Sequence, residues 1–507
     1  MTSSAESYPL TPRQRALAGM LLALSNFMVV LDLTIANVSV PHIAGNLGIS
    51  GDQGTWILTS YAVAEAICVP LTGWLAQRFG VVRVFIFAML GFGLFSLLCG
   101  LSVTLGMIVV CRIGQGLCGG PIMPMSQTLL LRIFPPQQRG RMMGVWAMTT
   151  LLAPAAGPIV GGYISDSWSW HWIFFINLPI AALCITGAFL LLRPAETERQ
   201  KLPVDFIGLG LLVFWIGCLQ IMLDIGRDHD WFADPLIVIL AVLAAIGLCV
   251  FLIWELTEKH PIVDLRVFRH VGFTSGVVTL ALCYGAYFAG IVIIPQWLQT
   301  SMGYTASSAG FVTACTAMTA IFTAAFAARL MGKIDVRIMI SGAVAWMGVA
   351  TLLRAGWTTS ADFWALATPQ IVQGFAMPFF MIPLTTLTLG SVRPDETASA
   401  AGMQNFLRTL AIAISTSLVL TGWSNGQRAA RNDIVGALDP NVGASLTASG
   451  FSPEQTPDLI ANLVEQQAVV VSMNNVFFVA AIILFLAAAL VWLAPKPQGE
   501  VDTSAVH

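Results

Sequence analysis

Apolar runs long enough to cross a bilayer follow one another along almost the whole chain, separated by short polar turns. A spanning helix needs roughly 20 apolar residues. Runs of that length lie near 16–38, 54–75, 82–101, 104–131, 141–164, 172–192, 205–224, 235–256, 272–298, 305–329, 335–354, 362–389, 397–421 and 471–494. The pattern predicts an all-α membrane protein with fourteen transmembrane helices. Residues 1–15 form a polar lead, and the run behind them is too long for a signal-peptide core, so it reads as an uncleaved anchor. Composition agrees: 57% of the residues are hydrophobic and 10% charged, against about 25% charged in a soluble domain. Lipid is therefore the expected solvent. A net charge of −2 gives no sign of a nucleic-acid partner.

Lysine and arginine orient the runs. With the N-terminus inside, eighteen of the 24 fall in inside segments, and Arg227, Arg354, Arg428 and Arg431 fall outside. Arg112 and Arg408 fall within runs. Both termini are thus expected in the cytoplasm, with 193–204 a cytoplasmic linker and 495–507 a cytoplasmic tail. The polar stretch 422–470 lies outside, where short helices on the outer face, a partner-docking segment and a tolerated insertion are all open readings. All nine cysteines sit in apolar runs without CxxC spacing and read as small core residues. There is no HExxH, metal-ligand cluster or Walker motif, so neither an enzyme nor an ATP-driven pump is expected. No metal and no cofactor is implied.

Sliding the chain by 258 positions places RIGQG (112–116) on QIVQG (370–374), so Gln115 meets Gln373 and Gly116 meets Gly374. Pro136 meets Pro394 and Gly144 meets Gly402 in the same register. Two six-helix bundles are expected, 16–192 and 272–494, with 205–256 an inserted pair. Parallel repeats of this kind form transporters whose substrate site lies at the repeat interface.

Four charges stand out inside the runs. Asp32 is roughly 24 Å up a helix that starts inside, and Arg112 roughly 10 Å down one that starts outside. In a core about 30 Å thick these depths coincide. A carboxylate there costs about 2.5–3.5 kcal/mol and marks a functional site. Paired with Arg112 it stays ionised, and when the arginine moves away it takes a proton. A static pair locking two helices is the competing reading. Glu65, near mid-membrane, is a second protonation site, a contact for a cationic substrate, or a structural hydrogen bonder. Arg408 either meets an anionic substrate group or serves structure. Phe27, Met28, Tyr61, Gln115, Tyr284, Tyr287, Gln373, Phe379, Asn405 and Arg408 are the candidate cavity lining. Glycines and prolines in APAAGPIVGG (153–162) serve close packing, bending or gating.

These residues resemble the major facilitator superfamily, in its fourteen-span drug:proton antiporter branch. LDLTIANVSVP (31–41) looks like the first-helix motif of that branch and GWLAQRFGVVR (73–83) like its loop motif. RIGQGLCGG (112–120) is similar to the helix-four motif, APAAGPIVGG to the antiporter motif and WIFFINLP (172–179) to the start of helix six. The likeness covers nearly the whole chain and points to EmrB-type pumps of Gram-negative bacteria. It implies proton-driven export of hydrophobic and amphipathic compounds from the inner membrane. It also implies a periplasmic membrane-fusion adaptor (EmrA-like) and an outer-membrane channel (TolC-like). Carried over by resemblance, Asp32 and Arg112 couple protons, and Glu65 joins them as a candidate from its depth alone. Gly157, Pro158, Gly161 and Gly162 belong to the gating motif, and Gly73, Gln77, Arg78, Gly80 and Arg83 to the loop motif. Gln77 replaces the usual Asp, weakening the charge relay to Arg78 and Arg83. His171 replaces a common Arg and is expected to add pH sensitivity at the outer face. A dedicated exporter of one physiological amphiphile, such as a fatty acid, bile salt or siderophore, is the alternative.

Overall fold

The computed structural model describes residues 10–49, 51–200, 203–226, 229, 231–331, 333–439, 442, 446–447, 452 and 454–494. Most of the expected N-terminal segment, Lys201, Arg227 and the tail 495–507 lie outside the described residues. The helices are α1 (Pro12–Leu47), α2 (Gly51–Cys68), α3 (Thr72–Phe79), α4 (Val81–Gly100), α5 (Leu105–Gly119), α6 (Ile122–Ile133) and α7 (Pro136–Ser167). Then follow α8 (Trp172–Phe175), α9 (Asn177–Gly187), α10 (Phe206–Ile225), α11 (Pro235–Thr257), α12 (Val271–Thr300) and α13 (Ala306–Leu330). The last are α14 (Val336–Arg354), α15 (Phe363–Gly390), α16 (Thr397–Ala437) and α17 (Thr456–Leu490).

Polar residues set the helix starts. Thr11 accepts from the Gln14 N–H, Gln14 returns the bond to the Thr11 N–H, and Pro12 takes the first helical position. Thr104, Asp205, Asp234, Thr305, Asp335 and Asp362 cap α5, α10, α11, α13, α14 and α15. Each cap oxygen satisfies an N–H that the first turn leaves unpaired, so an apolar run gains a defined edge.

Twelve helices among the described residues are long and apolar enough to span a bilayer. A thirteenth forms if Gln138–Pro154 and Ile159–Ser165, bent by 45° at the antiporter motif, make one span. The expected count of fourteen is therefore not reached on this measure. The remaining run, 305–329, is helical, but its apolar part, Ser308–Ala324, is short. Its threonines explain the low hydropathy: Thr313, Thr319 and Thr323 return their hydroxyls to backbone carbonyls of the preceding turn. A satisfied hydroxyl is tolerated in an apolar surround.

The helices pack in two groups, α1–α9 and α12–α17, with α11 paired to α10 and α10 set against α2 and α16. Repeat-related glycines make equivalent contacts. A Cβ on Gly116 would lie 2.4 Å from the Tyr61 carbonyl oxygen of α2, and one on Gly374 would lie 2.3 Å from that of Thr316 in α13. Between the groups, α7 reaches α13 and α15, and α16 reaches α3 and α6. Gly144 backs onto Ile382 and Gly402 onto the Val69 carbonyl, each at 3.0 Å from a built Cβ. At the level of helices, the pairing of α7 with α13 and α15 thus mirrors that of α16 with α3 and α6.

Of the open readings for 422–470, the described residues take the helical one, with long helices in place of short ones. α16 runs on to Ala437 and α17 begins at Thr456, so most of the expected loop is two long helices packed side by side. Trp423 Nε1 donates to the Val469 carbonyl (3.2 Å), Ser472 Oγ donates to the Trp423 carbonyl (2.7 Å), and Arg431 pairs with Glu465 (3.9 Å).

Alanine at Gly116 or at Gly374 should each cost about 1–3 kcal/mol, since a backbone carbonyl must give way. Alanine at Gly162, where nothing lies within 4 Å of a built Cβ, should cost little. Thermal unfolding of the detergent-purified variants checks the contrast.

Candidate functional site

Asp32 and Arg112 are in contact. Arg112 Nη1 donates to Asp32 Oδ2 at 2.7 Å, and both side chains are fully buried. Asp32 Oδ1 accepts from Gln115 Nε2 (3.1 Å) and from Asn177 Nδ2 (2.7 Å). Asn177 also donates to Ser96 Oγ (3.1 Å), whose hydroxyl donates to the Phe174 carbonyl (2.8 Å). Arg112 Nε donates to the Ile57 carbonyl (3.1 Å), Nη1 also reaches Gln115 Oε1 (3.0 Å), and the guanidinium lies 4.6 Å from the Tyr61 ring centroid. One carboxylate thereby joins α1, α5 and α9, with α2 and α4 held through Arg112 and Ser96. Uncompensated, either charge would be strongly destabilising here.

The opposite face of α1 borders a cavity of about 470 Å³ between the two helix groups. Val30, Leu33, Thr34 and Asn37 line one side, and Tyr284, Phe288, Arg408, Ile412 and Leu420 the other. Three charges reach it: Glu65 from α2, Arg408 from α16, and Asp224 from α10. Arg408 rests on the Tyr284 ring (5.5 Å) and contacts Met123 Sδ. Towards the face where α1 begins, the cavity floor is closed by Gly402 against Val69 and by Asn405 donating to Gln127 (2.6 Å). A separate cleft of about 690 Å³, lined by Gln77, Arg132, Arg139 and Asp395, opens beyond that floor.

Of the ten candidate lining residues, this cavity takes Tyr284 and Arg408. Met28 and Tyr61 are fully buried in the core, and Phe27, Tyr287 and Phe379 pack against it. Gln115 is spent on Asp32, and Asn405 on the floor contact. Gln373 accepts from Arg354. Arg354, expected in an outside loop, is in fact buried at the end of α14, where it also donates to Gln370 Oε1 (2.8 Å). Asn177, Ser96, Asp224 and Arg354 escaped the sequence reading. WIFFINLP marked the neighbourhood of Asn177, but a neutral amide carries no charge signal.

A family model described as the Major Facilitator Superfamily matches residues 22–416. The chain is 42% identical to the multidrug export protein EmrB of Escherichia coli K12 over 97% of each chain. The chain belongs to the major facilitator superfamily. It is also 39% identical to the fatty acid resistance protein FarB of Neisseria gonorrhoeae, over 94% of this chain and 95% of that one. The crystal structure of a human organic anion transporter shares the fold, with a TM-score of 0.54 at 17% identity, covering 94% of this chain and 100% of that one. This major facilitator chain is therefore a multi-pass membrane transporter of the EmrB type.

The superfamily loop motif is built around a carboxylate from elsewhere. Gly80 has φ +91°, and a Cβ there would meet Glu196 Oε1 at 2.5 Å. The Glu196 carboxylate accepts from the N–H groups of Val82 (3.0 Å) and Arg83 (3.1 Å) at the start of α4, and lies 4.0 Å from Arg83 Nε. An anion at a helix N-terminus is favoured by the exposed N–H groups and the dipole. An acid beside Arg83 thus comes from the segment after α9. Gln77 contributes its carbonyl to the Gln200 N–H (2.9 Å), and Arg78 stacks on Trp74 (5.3 Å). Gly73 lies against Ser399 of the other helix group.

In the antiporter motif, Gly157 and Gly161 let α7 close onto Thr34 and Ile35 of α1. Gly162 faces open space, and Pro158 falls at the 45° break. Burial lowers the His171 imidazole below its ordinary range. It stacks on Trp170 and shares a 2.6 Å hydrogen bond with Ser169, so any titration shifts to lower pH than expected. Among the described residues no group of three His, Cys, Asp or Glu side chains is placed to hold a metal ion.

Replacing Asn177 with Ala should cost about 1–3 kcal/mol, because a buried carboxylate loses a donor. An unchanged melting curve in detergent would remove Asn177 from the network. A second expectation concerns Glu396 at the start of α16, which binds Arg269 and His270 (2.9 Å to Nε2). Burial alone would raise this carboxyl, but hydrogen bonds from His270 and the Arg393 N–H, with the charge of Arg269, hold it below the usual range. A depressed carboxyl adds stability that is full above its unfolded value and is lost as pH falls through the folded one. Glu396→Gln should therefore flatten the acid side of the melting temperature against pH.

Proposed function

We propose that the chain exports hydrophobic and amphipathic compounds in exchange for protons, using Asp32 and Arg112 as the coupling pair. One observation carries this reading: a buried carboxylate held by Arg112, Gln115 and Asn177 sits on the helix that walls the cavity. The names of the 42% identical multidrug export protein and of FarB support the substrate class. A proton arriving at an Asp32 oxygen neutralises the carboxylate and turns one acceptor into an O–H donor. The bond from Arg112 or from an amide on that oxygen is then weakened, and α5 is freed relative to α1. Loss of the proton restores the pair. Each protonation change is thus tied to a change in helix packing beside the substrate cavity. The cavity and the cleft, separated by the Gly402 and Asn405 contacts, are the two access routes between which such repacking alternates. No cofactor beyond the proton gradient enters.

The face where α1 begins carries most of the Lys and Arg and is assigned to the cytoplasm, with the chain in a bacterial inner membrane. The α16–α17 hairpin then stands on the periplasmic side, where it offers a helical surface to an adaptor of the membrane-fusion class that leads to an outer-membrane channel. Arg408 in the cavity, with the likeness to FarB, favours a second reading in which a fatty acid is the principal cargo.

Asp32→Asn should insert and fold yet abolish substrate export driven by a pH gradient in proteoliposomes. Undiminished export would remove Asp32 from coupling. Arg112→Lys keeps the charge but loses the forked geometry, so export should fall well below wild type. The two cargo readings part on Arg408→Gln: loss of dodecanoate export with cationic dye export retained supports the fatty acid reading, and equal loss of both supports a general one.

A further inference from the structure

The two halves treat their buried arginine differently. At the 258-residue offset Arg112 corresponds to Gln370, Gln115 to Gln373, Ser96 to Arg354 and Asp32 to Gly290. The second half thus has its arginine on α14, where the first has Ser96, and this arginine reaches the same inner position. Arg354 is 2% exposed and donates to both Gln370 and Gln373. In the first half the guanidinium meets a carboxylate on α1. In the second, the matching position on α12 is Gly290, and a Cβ built there would lie 3.2 Å from Arg354 Nη1. No carboxylate among the described residues pairs with Arg354. Three buried donors at this point, Arg354 Nε, Gln370 Nε2 and Gln373 Nε2, make no hydrogen bond. Around them the wall is apolar and aromatic, with Trp297 stacked on Trp357 and Phe477 edge-on.

A buried guanidinium without a counter-charge is costly, and so is each buried donor without an acceptor. Both costs are removed by one compact acceptor carrying a single negative charge. A cation or a neutral apolar group removes neither.

We propose that Arg354, Gln370 and Gln373, facing Gly290, form a binding site for a compact monovalent anion, either a halide or the carboxylate of an amphiphilic substrate. In this arrangement the anion stands where the first half places Asp32. The first half carries its counter-charge covalently, and the second takes it from solution or from cargo.

The test is thermal unfolding of the purified, detergent-solubilised full chain at constant ionic strength, with gluconate exchanged for chloride. The wild type should show a saturable rise in melting temperature with chloride, because a ligand that binds only the folded state stabilises it. Arg354→Gln should abolish the response. Gly290→Asp should supply the charge in place, melt in gluconate as the wild type does in chloride, and no longer respond. A parallel titration with dodecanoate against dodecanol separates the sources. Chloride alone stabilising the protein assigns a halide, and dodecanoate without dodecanol assigns a substrate carboxylate. A wild type indifferent to both anions overturns the proposal, as does a full response surviving in Arg354→Gln. If either variant fails to fold, the wild-type titration still decides. The outcome is independent of proton coupling, which is read from Asp32→Asn in proteoliposomes.

Discussion

A charge buried in a bilayer has to be answered by another charge, and the first half of this chain is arranged around that requirement. Asp32 and Arg112 lie on helices eighty residues apart in sequence, and the 2.7 Å bond between them holds only if α1 and α5 sit at one depth and one rotation. Gln115 and Asn177 follow from it, since both donate to the carboxylate oxygen that the pair leaves over, and Ser96 accepts in turn from Asn177. Small residues on the neighbouring faces serve the same end. Gly116 brings α5 onto α2, and Gly157 and Gly161 bring α7 onto α1, so that the backbones approach closely. The network therefore fixes the packing more narrowly than apolar contacts alone would, because lipid competes equally well for apolar faces.

The pseudo-symmetric interface gives this local pair a wider reach. Because α7 engages α13 and α15 while α16 engages α3 and α6, a shift within the first half is felt at two separate seams. The cavity floor made by Gly402, Val69, Asn405 and Gln127 belongs to one of them. Asp224 enters the cavity from α10, so the first helix of the inserted pair is part of the wall and not only a tether.

Hydropathy and charge depth made the helices, the repeat and the Asp32–Arg112 contact legible in the sequence, because a charge in an apolar run has few ways to be satisfied. The misses have physical causes. Asn177 and Ser96 are neutral and blend into apolar stretches. Arg354 ends α14, and a cation one residue from a helix end looks the same in sequence whether it turns outwards to water or inwards to Gln370. Glu196 is separated from Gly80 by more than one hundred residues, so only the fold shows that it supplies an acid beside Arg83. The cavity lining was judged from residue type, yet Met28 and Tyr61 are large apolar side chains that fill a core equally well. The 422–470 stretch read as a loop because helices outside the membrane lose the apolar signal that identifies those within it.

That last feature has a mechanical side. α16 is one helix of 41 residues, roughly 60 Å at 1.5 Å per residue, about twice the thickness of the hydrocarbon core. It carries Gly402 and Asn405 of the floor, Arg408 of the cavity, and, without a break, the arm joined to α17. A rigid rod amplifies rotation with distance: a tilt of about 10° moves a point about 30 Å away by about 5 Å. The same helix that contributes to the floor therefore also carries the arm joined to α17, and a tilt at one is a larger displacement at the other.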